Sequence, residues 1–382
     1  MGIKNNNTKS YVAPELVSKG RVWGFRIDPY LTLFFFVFFI ISIFLIYNPN
    51  SSLELYKRQA LNYGISLIFF VIISQIPSNF VKLLAPYLYL LGIIMLVIVL
   101  LFGVEGKGAQ RWIDFGILNI QPSEFFKFLL PLMLAWWFNL ADDNGFNKWL
   151  NWIVVAIFII TAVLMIAVQP DLGSALMVLV SGLIVIFLVG LPWKVIIISM
   201  ACMALSFPIL WSNMYSYQKQ RVLTFLDPYK DPLGFGYHVI QSTIAIGSGG
   251  LFGRGWLQGS QSRLDFVPEQ HTDFIFSIVA EEYGFIGGTA LILLYVALMW
   301  RGLIISLNSQ THFLRILGVA LSVVIFFYVG VNIAMVTGLL PVVGLPLPLI
   351  SYGGSSLITY AIILGILSSI KCHSPDTAKI KY

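Results

Sequence analysis

Stretches of roughly 17 to 25 apolar residues, long enough to cross a hydrocarbon layer about 30 Å thick as helices, recur about ten times along this chain. They lie near 30–47, 60–76, 83–103, 122–139, 149–168, 172–190, 193–211, 273–300, 314–336 and 347–370. Lipid offers no partner to an unsatisfied peptide group, so only helices or closed barrels can cross it. A barrel would show short segments of alternating polarity, whereas these runs are continuous. Only 10% of the 382 residues are charged, against about a quarter in a soluble domain, and the mean hydropathy is +0.87. The expected fold is an all-α polytopic integral membrane protein with about ten transmembrane helices and one large extracytoplasmic loop. The run 273–300 leaves room for an interfacial turn or a tilt. The first run is long and has no small-x-small cleavage pattern behind it, so it reads as a retained span.

With an even number of spans both ends share one side. That side collects Lys4, Lys9, Lys19, Arg21, Arg26, Lys82, Lys148, Lys194, Arg301, Arg315, Lys371, Lys379 and Lys381. The opposite short loops hold only Lys57, Arg58, Lys107 and Arg111. The positive-inside rule then makes both termini cytoplasmic and turns the long loop 212–272 outward. The net charge of +6 reflects this asymmetry and is no sign of nucleic-acid binding. Three parts result: a cytoplasmic tail 1–26, a membrane domain 27–371 that includes loop 212–272, and a cytoplasmic tail 372–382. Cys202 in a span and Cys372 near the cytoplasmic end imply neither a disulfide nor a zinc site. Within the loop, "YHVIQSTIAI" is apolar on one side, as in a short amphipathic helix at the membrane surface. Pro341, Pro346 and Pro348, with Gly338 and Gly344, predict a bent or partly re-entrant connection before the last span.

Ionisable groups at membrane depth are costly and mark cavities or paired charges. In "QPSEFFKF", Pro122 suits a first helical turn, which places Glu124 and Lys127 three residues apart on one face. The macrodipole explains Glu124 at a helix start but not a cation one turn deeper. Lys127 either pairs with Glu124 structurally or faces an anion. Asp171 in "QPDLGSALM" either caps the sixth span or joins the polar cavity, and the repeated Gln-Pro entry suggests two helix starts built alike. "GSGGLFGRGW" reads either as tight turns or as a phosphate cradle, in which Arg254 would supply the guanidinium. Thr272 or Asp273 can cap the eighth span, but Glu281 and Glu282 lie about 12 Å further along its axis, too deep to be caps. They must be neutral, paired or lining a cavity, and Lys127 would suit as a basic partner. The chain has no His-Glu-x-x-His, no Walker lysine loop, no GxSxG elbow and no Asp-x-Asp pair, so neither catalytic zinc nor a nucleotide donor is indicated.

The motifs "KGAQRW", "QPSEFFKF", "QPDLGSALM", "DPLGFGYHVIQSTIAIGSGG", "HTDFIFSIVAEEYGFIG" and "LPLPLISYGGSSLI" together resemble the SEDS family (shape, elongation, division and sporulation), and its rod-shape branch more than its division branch. The resemblance runs from the first span to the last and leaves out only the tails. It implies a peptidoglycan glycosyltransferase of the cytoplasmic (inner) membrane that polymerises lipid II on the outer side during cell elongation. It also implies a class B penicillin-binding protein as transpeptidase partner, alongside the elongation machinery and membrane lipids. Asp273 matches the family's essential loop aspartate; Trp112, Glu124 and Lys127 match its cavity positions, and Asp171 matches a further acidic one.

The residues fit that chemistry. A sugar hydroxyl attacking C1 of a lipid-linked sugar needs a base, for which Asp273 is the candidate, and the departing pyrophosphate needs positive charge, which Lys127 or Arg254 would supply. Glu281 is expected to line or brace the cavity. No cofactor is specified, and a divalent cation stays open because carboxylates lie nearby. Attack opposite the leaving group inverts an α-linked donor to a β-linked product without a covalent sugar on Asp273. The rival reading is a lipid II flippase, which would use the same cavity without bond chemistry, but transport needs access from both faces and these groups cluster outward. A scaffold that only recruits the transpeptidase would leave Lys127 and Glu281 without a purpose.

Overall fold

The computed structural model describes residues 27–47, 53–106, 109–114, 116, 119–145, 148–190, 227–230, 234–263 and 269–373, with isolated positions between 197 and 225. The expected span near 193–211 lies outside the described residues apart from single positions, as does tail 1–26.

Helix α1 (Pro29–Ile46) starts where Asp28 accepts from the Leu31 N–H at 2.9 Å and Pro29 occupies the first turn. Then come α2 (Leu53–Gln75) and α3 (Ser78–Phe102). The next connection is not helical: β1 (Val104–Gly106), β2 (Ala109–Asp114) and β3 (Asn119–Ile120) form a small antiparallel sheet in that order. The bundle continues with α4 (Pro122–Asn144), α5 (Lys148–Val168) and α6 (Leu172–Val189). Beyond the expected seventh span lie α7 (Phe235–Gly249), which falls on the segment read as amphipathic, and the short α8 (Ser260–Arg263). The last three are α9 (Ile275–Leu307), α10 (His312–Val336) and α11 (Gly354–His373).

Among the described residues seven helices, α1, α3, α5, α6, α9, α10 and α11, are long and apolar enough to cross a membrane. Two more of 23 residues each, α2 and α4, carry charged side chains in their first turns. This is an all-α polytopic membrane fold, with the small sheet as its one local addition among the described residues. In their most apolar stretches α11 is 83% and α10 is 61% buried, against 22% for α5, so α10 and α11 form the centre and α5 faces lipid.

Two breaks in regular structure position everything else. Helix α9 is interrupted at Gly284 (φ 65°, ψ −161°), which separates a half-helix 275–283 from the longer remainder. The proline-rich connection 341–353 is non-helical, yet Leu345, Leu347, Leu349, Ile350 and Ser351 are all buried. Its carbonyls are satisfied by side chains from the helices around it: Ile350 by Ser42 Oγ (2.6 Å), Leu349 by the Tyr63 hydroxyl, Pro348 by the Tyr295 hydroxyl and Leu345 by Asn332 Nδ2 (2.7 Å). Irregular backbone survives inside a membrane protein only where the protein supplies such partners.

Candidate active site

The start of α4 brings Glu124 and Lys127 onto one face, one turn apart. Lys127 Nζ donates to Glu124 Oε2 at 2.5 Å, and both side chains are buried. Nζ also lies 4.4 Å from the ring centre of Tyr328 on α10 and 5.0 Å from that of Tyr360 on α11, whose hydroxyl it reaches at 3.4 Å. A carboxylate and two aromatic faces therefore stabilise an ammonium that lipid could not solvate.

Asp171 caps α6, accepting from the Ser174 N–H at 3.2 Å. It also accepts from Gln121 Nε2 at 3.0 Å and lies 3.6 Å from the Arg111 guanidinium. Arg111 donates as well to the carbonyls of Gln169 (3.4 Å) and Pro170. The two Gln-Pro entries are thus built differently: Gln121 makes no side-chain cap of its own helix and reaches across to the cap of the other. Strand β2 supplies Arg111, and the pleat sends its neighbour Trp112, paired with Val104, to the opposite face.

Asp273 stands at the foot of half-helix 275–283, part-exposed, with its Oδ2 3.6 Å from where a side-chain Cβ would sit on Gly344. Gly344 has φ +79°, a backbone conformation that calls for glycine. Next to it Val343 packs on Gly173 of α6, where a Cβ would lie 2.6 Å from the Val343 carbonyl. The connection 343–344 is therefore flanked by the helix that Asp171 caps and by Asp273. Along α10, Tyr328 touches Lys127 while Asn332, one turn or about 6 Å on, donates to the Asp273 carbonyl at 2.8 Å. One helix face links the buried lysine to the aspartate. A small apolar recess is lined by Phe225, Val239, Leu340, Pro341 and Val342.

The glycine-rich turn does not present its amides to a ligand. Gly253 N–H donates to the Gly249 carbonyl (2.8 Å), Arg254 N–H to Glu281 (3.0 Å) and Gly255 N–H to Glu282 (3.0 Å). The return bonds run from Phe285 N–H to Gly250 and from Ile286 N–H to Leu251. The turn is laced onto the break in α9, which supports the tight-turn reading of this stretch. The Arg254 side chain is exposed and donates to the Ser248 carbonyl and Ser260 Oγ at 3.2 Å each. Glu281 and Glu282 face the same turn: their carboxylates accept from the Gln261 N–H at 2.8 Å and the Leu257 N–H at 3.0 Å. Lys127 takes Glu124 as its carboxylate instead, so the two glutamates brace a loop.

Arg111, Tyr328, Tyr360 and Asn332 carry no comparable signal in the sequence. Neutral polar groups in an apolar run look affordable there, although Asn332, the one amide side chain between 312 and 336, offered a clue.

A family model described as cell cycle protein, of the FtsW, RodA and SpoVE type, matches residues 26–376. The chain belongs to this family. Among its relatives, peptidoglycan glycosyltransferase MrdB of Escherichia coli K12 is 46% identical over 356 residues, covering 93% of this chain and 96% of that one. Stage V sporulation protein E of Bacillus subtilis is 34% identical, covering 86% of this chain and 90% of its own length. Among solved structures, a chain from a peptidoglycan synthase complex that coordinates polymerisation and crosslinking aligns with a TM-score of 0.77 at 34% identity, covering 91% of this chain and 98% of that one. The rod-shape-determining protein RodA of Thermus thermophilus aligns at 0.69 and 28% identity, covering 92% and 98%.

Proposed function

We propose that this member of the FtsW/RodA/SpoVE family is a peptidoglycan glycosyltransferase that polymerises lipid II into β-1,4 glycan strands during cell elongation. Relatives of that name over nearly the whole chain support the activity. The observation that carries the mechanism is the arrangement along α10, where Tyr328, against the buried Lys127–Glu124 pair, and Asn332, bonded to the backbone of a part-exposed Asp273, stand one helical turn apart.

Asp273 takes the proton from the 4-hydroxyl of the acceptor sugar as that oxygen bonds to C1 of the donor. The bond from C1 to the polyprenyl pyrophosphate breaks, with inversion at C1. General-base help of this kind contributes about 10²–10⁴-fold. Lys127 supplies positive charge toward the leaving pyrophosphate, and burial strengthens its effect. Arg254, exposed on the braced turn, meets the substrate further out. Asp171, held by Gln121 and Arg111, shapes the other wall. Among the described residues no group of three or more His, Cys, Asp or Glu side chains could hold a metal ion.

In this reading both termini are cytoplasmic and Asp273 faces the extracytoplasmic side. The partner is a class B penicillin-binding protein, a proposal that the match to a chain of a peptidoglycan synthase complex supports. The test is glycan-chain formation from purified lipid II, for wild type and Asp273→Ala, each alone and with the cognate transpeptidase blocked in crosslinking. Polymer from wild type and a loss of at least about 10²-fold in a folded, partner-bound variant is expected. Equal polymer from both removes Asp273 from the mechanism, and none from either under any condition points to lipid transport.

A further inference from the structure

We infer that Asn332 and Ser351 are positioning residues that hold the catalytic aspartate's backbone in register with the buried connection 341–353; this rests on the proposed glycosyltransfer at Asp273.

The three residues that lead into α9 present three successive carbonyls, each taken by a different donor from the C-terminal part of the chain. The His271 carbonyl accepts from the Tyr352 N–H at 2.8 Å, the Thr272 carbonyl from Ser351 Oγ at 2.5 Å, and the Asp273 carbonyl from Asn332 Nδ2 at 2.8 Å. The stretch is a turn, closed by the Thr272 and Phe274 N–H groups on the Glu269 carbonyl at 3.0 and 3.3 Å, and the three donors tie that turn to the C-terminal part of the chain.

Asn332 is fully buried, and its Nδ2 donates simultaneously to Asp273 and, at 2.7 Å, to the Leu345 carbonyl. Both neighbours are acceptors, so the amide can only face them with its nitrogen. The two bonds from Nδ2 give the amide a reason to be at this position. One side chain thus fastens the aspartate to the residue directly after Gly344, against which the Asp273 carboxylate lies. Ser351 acts alike one residue back: its hydroxyl accepts from the Leu347 N–H at 2.7 Å while donating to Thr272. The connection is itself held by α1, α2 and α9 through Ser42, Gln59, Tyr63 and Tyr295. The carboxylate inherits its place from that frame. Neither Asn332 nor Ser351 needs to touch the sugar to matter, because a misplacement of about 1 Å can cost on the order of 10²-fold in rate.

The test uses the full-length protein with its transpeptidase partner and lipid II as substrate. Asn332→Asp keeps the shape and removes the double donor. Ser351→Ala is a smaller change that tests the neighbouring bond. Ser242→Ala removes a comparable buried bond, from Ser242 Oγ to the Val336 carbonyl at the end of α10, without touching 271–273. For Asn332→Asp the expected result is a fall in kcat per folded molecule on the order of 10²-fold with KM within about twofold. Ser351→Ala should lower kcat by about tenfold, and Ser242→Ala should leave it unchanged. Full kcat in a folded Asn332→Asp or Ser351→Ala protein overturns the inference while leaving the glycosyltransferase reading intact. So does an equal kcat loss in Ser242→Ala at matched thermal stability. Wild type that makes no polymer removes both.

Discussion

Lys127 and Glu124 are worth more together than apart. Both are buried, so deleting one charge strands the other where neither water nor lipid can solvate it. Lys127→Met should lower stability by about 3–5 kcal/mol, and Glu124→Gln/Lys127→Met should recover most of it, as read by thermal unfolding in one detergent. If Lys127 serves the departing pyrophosphate, the recovered double variant still makes little polymer. A double variant with normal activity would confine the pair to structure. At this scale the sequence was legible wherever burial is expensive: Glu124, Lys127, Asp171 and Asp273 stand out because lipid should have excluded them. Tyr328, Tyr360, Asn332 and Ser351 do not, since a phenol, an amide or a hydroxyl costs little to insert and its partners lie elsewhere in the chain. Arg111 reads in the sequence as a loop charge, and its reach to Asp171 depends on a hairpin that hydropathy does not register.

Apart from 193–211, which lies outside the described residues, the long apolar runs are helical over most of their expected lengths, because continuous hydropathy and the need for internal hydrogen bonds dictate that outcome. The interruption of α9 was not readable to the residue. Gly284 breaks the helix against a turn some thirty residues earlier, and a Cβ there would overlap the Gly253 nitrogen and the Leu251 carbonyl. Gly249 and Gly253 are equally constrained by the carbonyls of Ala280 and Glu282. Gly284→Ala should cost about 1–3 kcal/mol from its backbone conformation alone, beyond the overlap. Faster amide exchange at residues 253–257 should report the release, because the bonds from Arg254 and Gly255 would open. Unchanged exchange there would show that the turn holds its shape unaided. Likewise, apolar composition starts the last span at 347, whereas the prolines keep the chain non-helical to 353.

Across the whole molecule, the central helices surround a piece of irregular chain. Tyr63 and Tyr295 each give a hydroxyl to it, from helices far apart in sequence. Tyr63→Phe and Tyr295→Phe should each lower stability by about 1–3 kcal/mol, since the Leu349 and Pro348 carbonyls lose their donors in a buried place. Identical unfolding temperatures for wild type and both variants would show that these carbonyls find other donors. At the opposite end of the bundle the Arg301 guanidinium clasps Asp28 and lies over the Tyr30 ring, closing α1 against α9.

Asp273 leaves the ribosome well before Asn332, Ser351 and Tyr352, the three residues that hold its neighbourhood. While the protein is being threaded into the bilayer, the carboxylate is already present but its frame is not. On the proposed role of Asp273, the order of synthesis acts as a safety catch: the base is present early but is held in place only after residue 352 has been delivered, at the threshold of the last helix.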